Sequence, residues 1–285
     1  MKIKTFIWKV IKAILPHGVV VLWRCRRYRF KIGDVKQAKR FFAENRQRVN
    51  AVASILADEK SKLIYTGIVK CRCRDYGYKK YFTKEIQYFD NEFFKYGNDE
   101  VLIDCGAYKG DTIDSFTEFV PNYKRIISFE AAPENFEKLK QKHGRNPDIR
   151  LINKGVWNET GKISFCISSD NPGGNTIGLN DTTQHNTTQP HETIFIDVMP
   201  IDALNLQEKV TFIKMDIEGA ELNALKGAEK TILRDKPRLA ISIYHSNEDM
   251  IRIAEWIHAL VPEYKLYVRH HLTDYRETVL YAQII

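Results

Sequence analysis

From residue 100 onward, short apolar runs alternate with helical stretches, and most of the runs end in an ionisable residue. "VLID" (101–104), "RIISFE" (125–130), "IRLINKGVW" (149–157), "VTFIKMD" (210–216) and "RLAISIYH" (238–245) read as five buried strands. Helices are expected over 112–119, 133–144, 219–233 and 248–260. The second of these carries Pro133 at its start, Glu134 in its first turn and Gly144 at its end. The third places Leu222, Leu225 and Ile232 on one face. Strands alternating with helices predict an α/β fold, a parallel sheet covered on both faces. The last two runs, "YKLYVRHH" and "ETVLYAQII", are joined by a short segment with no helix. A parallel crossover needs a dozen or more residues, so these two form an antiparallel hairpin at one edge. "GKISFCIS" (161–168) alternates like a half-buried strand, "IFIDVMPIDAL" resumes a strand, and Asp202 opens a turn or short helix.

Upstream, residues 35–62 carry Phe42, Val49, Val52, Ile55 and Leu56 at helical spacing and read as a helical lead-in. Residues 78–95 hold Tyr78, Tyr81, Phe82, Tyr88, Phe89, Phe93 and Phe94, which are expected to pack that segment onto the domain. Two units follow: a basic, helical N-terminal extension over 1–95 and the α/β domain over 96–285. The formal charge of +8 belongs to the extension. Residues 1–30 hold eight basic residues and no acid, and the remainder balances 36 against 36. A neutral body argues against a nucleic-acid partner. Lys9, Lys12, Pro16 and His17 interrupt the apolar runs at the start, which are too short for a spanning helix. A basic amphipathic helix on an anionic membrane is the alternative for residues 1–30. The five cysteines are an odd number without paired metal-ligand spacing, read as free thiols in a reducing cytosol. The location expected is therefore cytoplasmic, at the inner face of the membrane if the basic segment docks there. Residues 169–193 are rich in Asn, Thr and Gly and read as a long exposed loop over the acceptor site.

In an open α/β sheet, ligands bind beyond the carboxyl ends of the strands, which here carry Asp104, Glu130, Asp216 and His245. "DCGAYKG" lacks the three-glycine pyrophosphate fingerprint, and an acid before the first glycine would repel a phosphate. No phosphate-gripping lysine loop is present either. A ligand that is cationic and free of phosphate suits the turn better, and S-adenosylmethionine has those properties. Asp104 would sit near its methionine end, the Gly106–Gly110 backbone would pass beneath it, and Glu130 would accept both ribose hydroxyls.

"VLIDCGAYKGDT", "SFEAAPENFEKL", "FIKMDIEGAELNALKGA" and "KPRLAISIYHSNEDM" resemble the successive motifs of the FkbM family of S-adenosylmethionine-dependent methyltransferases. The resemblance covers residues 80–285, and D-x-E-G-A-E at 216–221 is its most specific part. "EAAPEN" departs from the more usual acid-then-proline pattern but leaves Glu130 in place. The family implies the class I methyltransferase (Rossmann-like) fold, a mostly parallel seven-stranded sheet with the last strand antiparallel. It also implies methyl transfer to an oxygen, commonly a hydroxyl of a sugar or a secondary metabolite, and because many members sit among polysaccharide-building enzymes the expected reading is a saccharide or saccharide-derived acceptor in surface polysaccharide biosynthesis. The cofactor-binding set is Asp104, Gly106, Ala107, Tyr108, Gly110, Thr112, Glu130, Ala131, Asn153 and Asp216. The catalytic candidates are Asp216, Glu218 and His245. Two mechanisms follow: His245 or Asp216 takes the hydroxyl proton, or Asp216, Glu218 and His245 hold Mg or Mn that lowers the acceptor pKa. Metal dependence is not the expected outcome. The rival functions are transfer to a phosphoryl-linked oxygen or to a small amine or amide, and a non-catalytic S-adenosylmethionine-binding scaffold subunit.

Overall fold

The computed structural model describes residues 32–89, 92, 94–167, 176–177 and 192–285. The expectations for residues 1–30 and for most of 169–193 lie outside them. Seven strands form one sheet in the order β10-β11-β9-β8-β1-β2-β3. They are β1 (Val101–Cys105), β2 (Arg125–Phe129), β3 (Ile149–Ile152), β8 (Phe212–Met215), β9 (Arg238–Ser242), β10 (Lys265–His270) and β11 (Thr278–Gln283). All neighbours pair in parallel except β11, which runs antiparallel to both β9 and β10. This is the mostly parallel seven-stranded sheet and terminal hairpin expected from the sequence. β1 and β8 are buried at every position. That is why they read as unbroken apolar runs, as parallel strands covered on both faces do. The chain leaves β1 for β2 and β3 on one side and for β8 and β9 on the other. The gap between the ends of β1 and β8 is thus the switch point where such sheets bind ligands.

The third run, expected as one strand over 149–157, divides. β3 ends at Ile152, and β4 (Gly155–Val156) pairs with β7 (Glu192–Met199) in a second sheet of order β4-β7-β5-β6. β5 (Gly161–Ile167) runs antiparallel to β7, and β6 (Thr176–Ile177), inside the expected loop, pairs with β5. The switch of sheets is possible because Gly155 passes close to Val198, where a Cβ would lie 3.0 Å from Cγ1. The helix expected over 219–233 also divides, into α6 (Glu221–Lys226) and α7 (Glu229–Asp235). The break is at Gly227, where a Cβ would overlap the Trp157 carbonyl oxygen. Asp202 then caps the second piece, its carboxylate accepting from Lys230 N at 3.0 Å and Thr231 N at 2.9 Å. The other helices that pack on the main sheet are α4 (Asp111–Phe119), α5 (Pro133–His143) and α8 (Asp249–Leu260), close to their expected spans.

The lead-in is three helices, α1 (Ile32–Glu44), α2 (Arg46–Ile55) and α3 (Glu59–Arg72), the last of them not foreseen from the sequence. Asp58 caps α3 by accepting from Ser61 N at 2.5 Å. Ser61 Oγ accepts from Val268 N at 2.9 Å and from Arg269 Nη1 at 2.8 Å. Arg269 is fully buried, and its Nη2 donates to Asp58 at 3.0 Å and to Glu92 at 3.1 Å. Ala57 N and Thr83 N donate to the carbonyls of Leu266 and His270. The outer edge of β10, which would otherwise offer unpaired backbone groups, is therefore covered. Phe89 and Phe94 pack on Phe212 in the core, as expected of the aromatic segment, while Phe82 stays exposed.

Gly227→Ala is expected to lower stability by about 1–3 kcal/mol, the usual cost of overpacking. Gly161→Ala, where nothing lies within 4 Å, is expected to be near neutral. Urea unfolding of the two variants checks this, and equal midpoints would refute it.

Candidate active site

A cavity of about 560 Å³ opens over the carboxyl ends of the central strands. One half is built by the turn after β1. Gly106 and Ala107 donate their N–H groups to the Phe129 carbonyl at 3.0 and 2.9 Å, folding the turn back over β2. Gly106 has φ +85, and a Cβ there would overlap the Asp216 carbonyl oxygen. No other residue type satisfies both conditions. Glu130 accepts from Tyr108 N and from Ala132 N, each at 2.8 Å, one oxygen apiece. Its carboxylate is thereby fixed at the cavity wall, where burial lifts its pKa above the ordinary value. Gly106, Ala107, Tyr108, Thr112, Glu130 and Ala131 all line the cavity, as does Asp216.

Three members of the expected cofactor set lie elsewhere. Asp104 is fully buried beneath the floor, with Lys214 Nζ 3.1 Å from its carboxylate. Lys214 also donates to the Gly106 carbonyl at 2.9 Å and itself lines the cavity. Direct contact between Asp104 and a cationic ligand is corrected: the cation that Asp104 meets is this lysine. Gly110, at φ +93, starts α4 and is packed against His143. Asn153 donates its side-chain amide to the Glu130 carbonyl at 2.8 Å, behind the wall.

The other half surrounds Asp216. Its carboxylate accepts from the Tyr88 hydroxyl at 2.7 Å and the Tyr244 hydroxyl at 3.1 Å, and lies 3.4 Å from His245 Nε2. Glu218 Oε2 is also 3.4 Å from Nε2, and Glu221 Oε1 is 3.0 Å from Nδ1. Glu221 is fully buried and accepts from Ile217 N at 2.8 Å and Gly219 N at 3.0 Å. The turn D-x-E-G-A-E thus wraps around its own last carboxylate, with Glu218 at φ +56 and Gly219 at φ +96. Burial alone would lower the His245 pKa, but Glu221, Glu218 and Asp216 together push it up to about 10. Burial pushes Glu218 up to about 7 and Glu277 likewise to about 7. Against its own burial, His245 and Lys214 hold Asp216 below the usual carboxylate range.

This arrangement of three carboxylates raises the proton affinity of His245 and so opposes its expected part as a proton acceptor at neutral pH. It also bears on metal. The atoms drawn within 4.8 Å belong to Asp216, Glu221 and His245, not to Asp216, Glu218 and His245. Both Glu221 oxygens accept backbone N–H groups, both Asp216 oxygens accept phenol hydroxyls, and the two imidazole nitrogens face different carboxylates.

Residues 104–268 match the family model for the methyltransferase FkbM domain, more than half of the chain. The chain belongs to the FkbM methyltransferase family. Among solved structures it resembles the FkbM methyltransferase of Methylobacillus flagellatus KT, with 26% identity and a TM-score of 0.68. That match covers 85% of this chain and 59% of the other, so the chain spans little more than half of that relative's length. It is also similar to an rRNA methylase from Streptococcus thermophilus (15% identity, TM-score 0.40, 66% of this chain and 89% of that one). A third likeness is to Aeropyrum pernix fibrillarin with natively bound S-adenosyl-L-methionine (15% identity, TM-score 0.38, 65% and 66% covered). At these values the last two bear on neither cofactor nor acceptor. No curated protein matches the chain.

Several cavity residues of this FkbM chain lie outside the matched span: Gln87 and Tyr88 before it, and Tyr275, Arg276 and Glu277 after it. Gln87 donates to Glu277 across the opening. Tyr88 and Glu277 both have positive φ, +67 and +58. Backbone strain of this kind gathers at functional sites. The sequence offered little sign of them, because Tyr88 reads as one more aromatic in a packing segment. Lys214 had a signal, a lone cation inside an apolar strand, and Glu221 had one in the spacing of its motif.

His245 is expected to stay protonated at pH 8, where an ordinary histidine is neutral. Its contribution to stability is then fully present below about pH 6.5 and is lost as pH rises through about 10. In Glu221→Gln its titration midpoint should fall by about one pH unit or more. ¹⁵N NMR of labelled histidine reads both, and a neutral His245 at pH 8 would contradict the charge assignment.

Proposed function

We propose that the chain transfers a methyl group from S-adenosylmethionine to a hydroxyl of a saccharide or saccharide-derived acceptor. The observation that carries the cofactor half is Glu130, a carboxylate held by two backbone N–H groups at the wall of a cavity floored by Gly106. Each of its oxygens keeps capacity to accept a ribose hydroxyl. A volume of about 560 Å³ is within the range of small-molecule sites. The residues present therefore fit the cofactor: Glu130 for the ribose, Gly106–Tyr108 beneath it, and Asp216 toward the reacting end. When bound, S-adenosylmethionine supplies an electrophilic methyl group.

The side chains of this protein then orient the acceptor and accept its proton. A hydroxyl is a weak nucleophile, so a base near neutrality helps most. His245 is charged and Asp216 is a depressed, hydrogen-bonded carboxylate; neither suits the role. Glu218 does, being at the cavity and pushed up to about 7 by burial. His245 keeps Glu218 in place and compensates its charge once the proton has left. Asp216, fixed by two tyrosines and His245, is the positioning carboxylate. Against a non-catalytic scaffold stands the same constellation, since cofactor binding alone needs neither Glu218 nor His245.

The domain boundaries at 1–95 and 96–285 and a part in polysaccharide synthesis are also proposals. So are a cytoplasmic location and docking of residues 1–30 on an anionic membrane. Among the described residues no helix is long and apolar enough to cross a membrane.

Calorimetric titration with S-adenosylhomocysteine is expected to show binding, with none for NAD. Glu130→Ala should weaken it by about ten- to a hundredfold, the loss of two hydrogen bonds. Glu218→Gln should retain that binding and lose turnover by roughly 10²–10⁴ with a saccharide acceptor, while wild-type turnover rises with pH through about 7. NAD binding in place of S-adenosylhomocysteine would overturn the cofactor, and full turnover by Glu218→Gln would remove Glu218 as the base.

A further inference from the structure

α3 lies wholly outside the matched span, yet its last residue, Arg72, is 3% exposed and reaches the segment after β9. Arg72 Nη2 donates to the Tyr244 carbonyl oxygen. Its Nη1 donates to Asn247 Oδ1 at 3.1 Å. These two acceptors stand on either side of His245 in the chain. One rigid guanidinium therefore brackets the residue that meets Glu221, Glu218 and Asp216. We propose that Arg72 is a positioning residue for His245, so that the N-terminal helical segment is part of the active site as well as a cover for the sheet edge.

Docking of α3 does not account for Arg72, because the helix is already held at its other end by Asp58 and Ser61 on Arg269 and β10. Stability does not account for it either. Its two hydrogen-bond acceptors are a neutral carbonyl and a neutral amide, Asp249 and Glu248 act on its charge only through space, and a guanidinium buried in this way gains little over an apolar side chain. What the planar fork does supply is two donors at fixed separation, which a lysine cannot. The segment it holds carries more than His245. The Tyr244 ring lies against His245, tilted by 41° with 4.0 Å between centroids, and its hydroxyl donates to Asp216. A shift of the Tyr244 carbonyl would move both contacts to Asp216 at once. The charged groups around the imidazole are Asp216, Glu218 and Glu221 from the turn after β8, Asp249 from α8, and Glu277 from the hairpin. These are acids, and Arg72 is a cation on the far side, so the charge on His245 depends on how closely its two nitrogens are held to the acids.

The inference rests on the methyl-transfer reading only for its effect on turnover, and the test reads His245 directly. In the full chain, Arg72→Met is expected to fold and to bind S-adenosylhomocysteine within about twofold of wild type. In Arg72→Lys, which keeps a positive charge near the imidazole but loses the two-pronged hold, the ¹⁵N titration midpoint of His245 should fall by about one pH unit; Arg72→Met also removes a cation, which by itself raises that midpoint. An unchanged or raised midpoint in folded Arg72→Lys overturns the proposal. If Arg72→Lys does not fold, Asn247→Ala decides, because it keeps the guanidinium and removes one of its two acceptors. A smaller fall of the His245 midpoint supports the bracket, and no shift overturns it. Loss of S-adenosylhomocysteine binding in wild type, with the His245 shift intact in the variant, would instead sink the cofactor reading and leave the positioning role standing.

Discussion

The site depends on how closely two strand ends approach one another. β1 and β8 leave the sheet side by side, and only a glycine at 106 lets the first turn pass over the Asp216 carbonyl. Beneath that crossing, Lys214 on β8 meets Asp104 on β1 and donates to the Gly106 carbonyl. A buried pair of this kind adds little net stability over an apolar replacement, whereas removing one partner costs about 3–5 kcal/mol. What it supplies is alignment: the lysine ties the floor of the cavity to both strands. Everything that lines the cavity is placed relative to that floor.

Charge compensation organises the second half. Asp216, Glu218 and Glu221 surround one imidazole, and the excess of acid is balanced by keeping that imidazole protonated. The three carboxylates differ because their surroundings differ. Glu221 is spent on backbone N–H groups, Asp216 on two phenols, and Glu218 faces the cavity with its proton affinity raised by burial. Residue types that suggest a histidine base thus give, once folded, an imidazole and a neighbouring glutamate whose proton affinities are both raised by their surroundings. Pairs of titratable groups driven apart in this way are how acid and base roles become assigned.

The segments beyond the matched domain are not accessory to this arrangement. Tyr88 holds Asp216 from one side, Gln87 and Glu277 face each other at the mouth, and Arg72 reaches the far side of His245. The half of the cavity around Glu130 is built within residues 104–268, and Gln87, Tyr88, Tyr275, Arg276 and Glu277 at the other half come from outside them.

The sequence by itself determined the α/β order, the parallel sheet with its terminal hairpin, the glycine turn, and the acids at the strand ends. These are local patterns: apolar runs set strands, glycine spacing sets the turn, and a connection too short for a crossover forces a hairpin. It did not show that the run 149–157 divides between two sheets, or that Gly227 splits a helix. Each follows from a contact with a distant segment, Val198 in one case and the Trp157 carbonyl in the other. Only the tertiary structure decided which acid meets what. Asp104 reads as a ligand contact until Lys214 is seen beside it, and His245 reads as a base until three carboxylates are seen around it. Proton affinity is a property of surroundings, and those surroundings come from residues far apart in the chain.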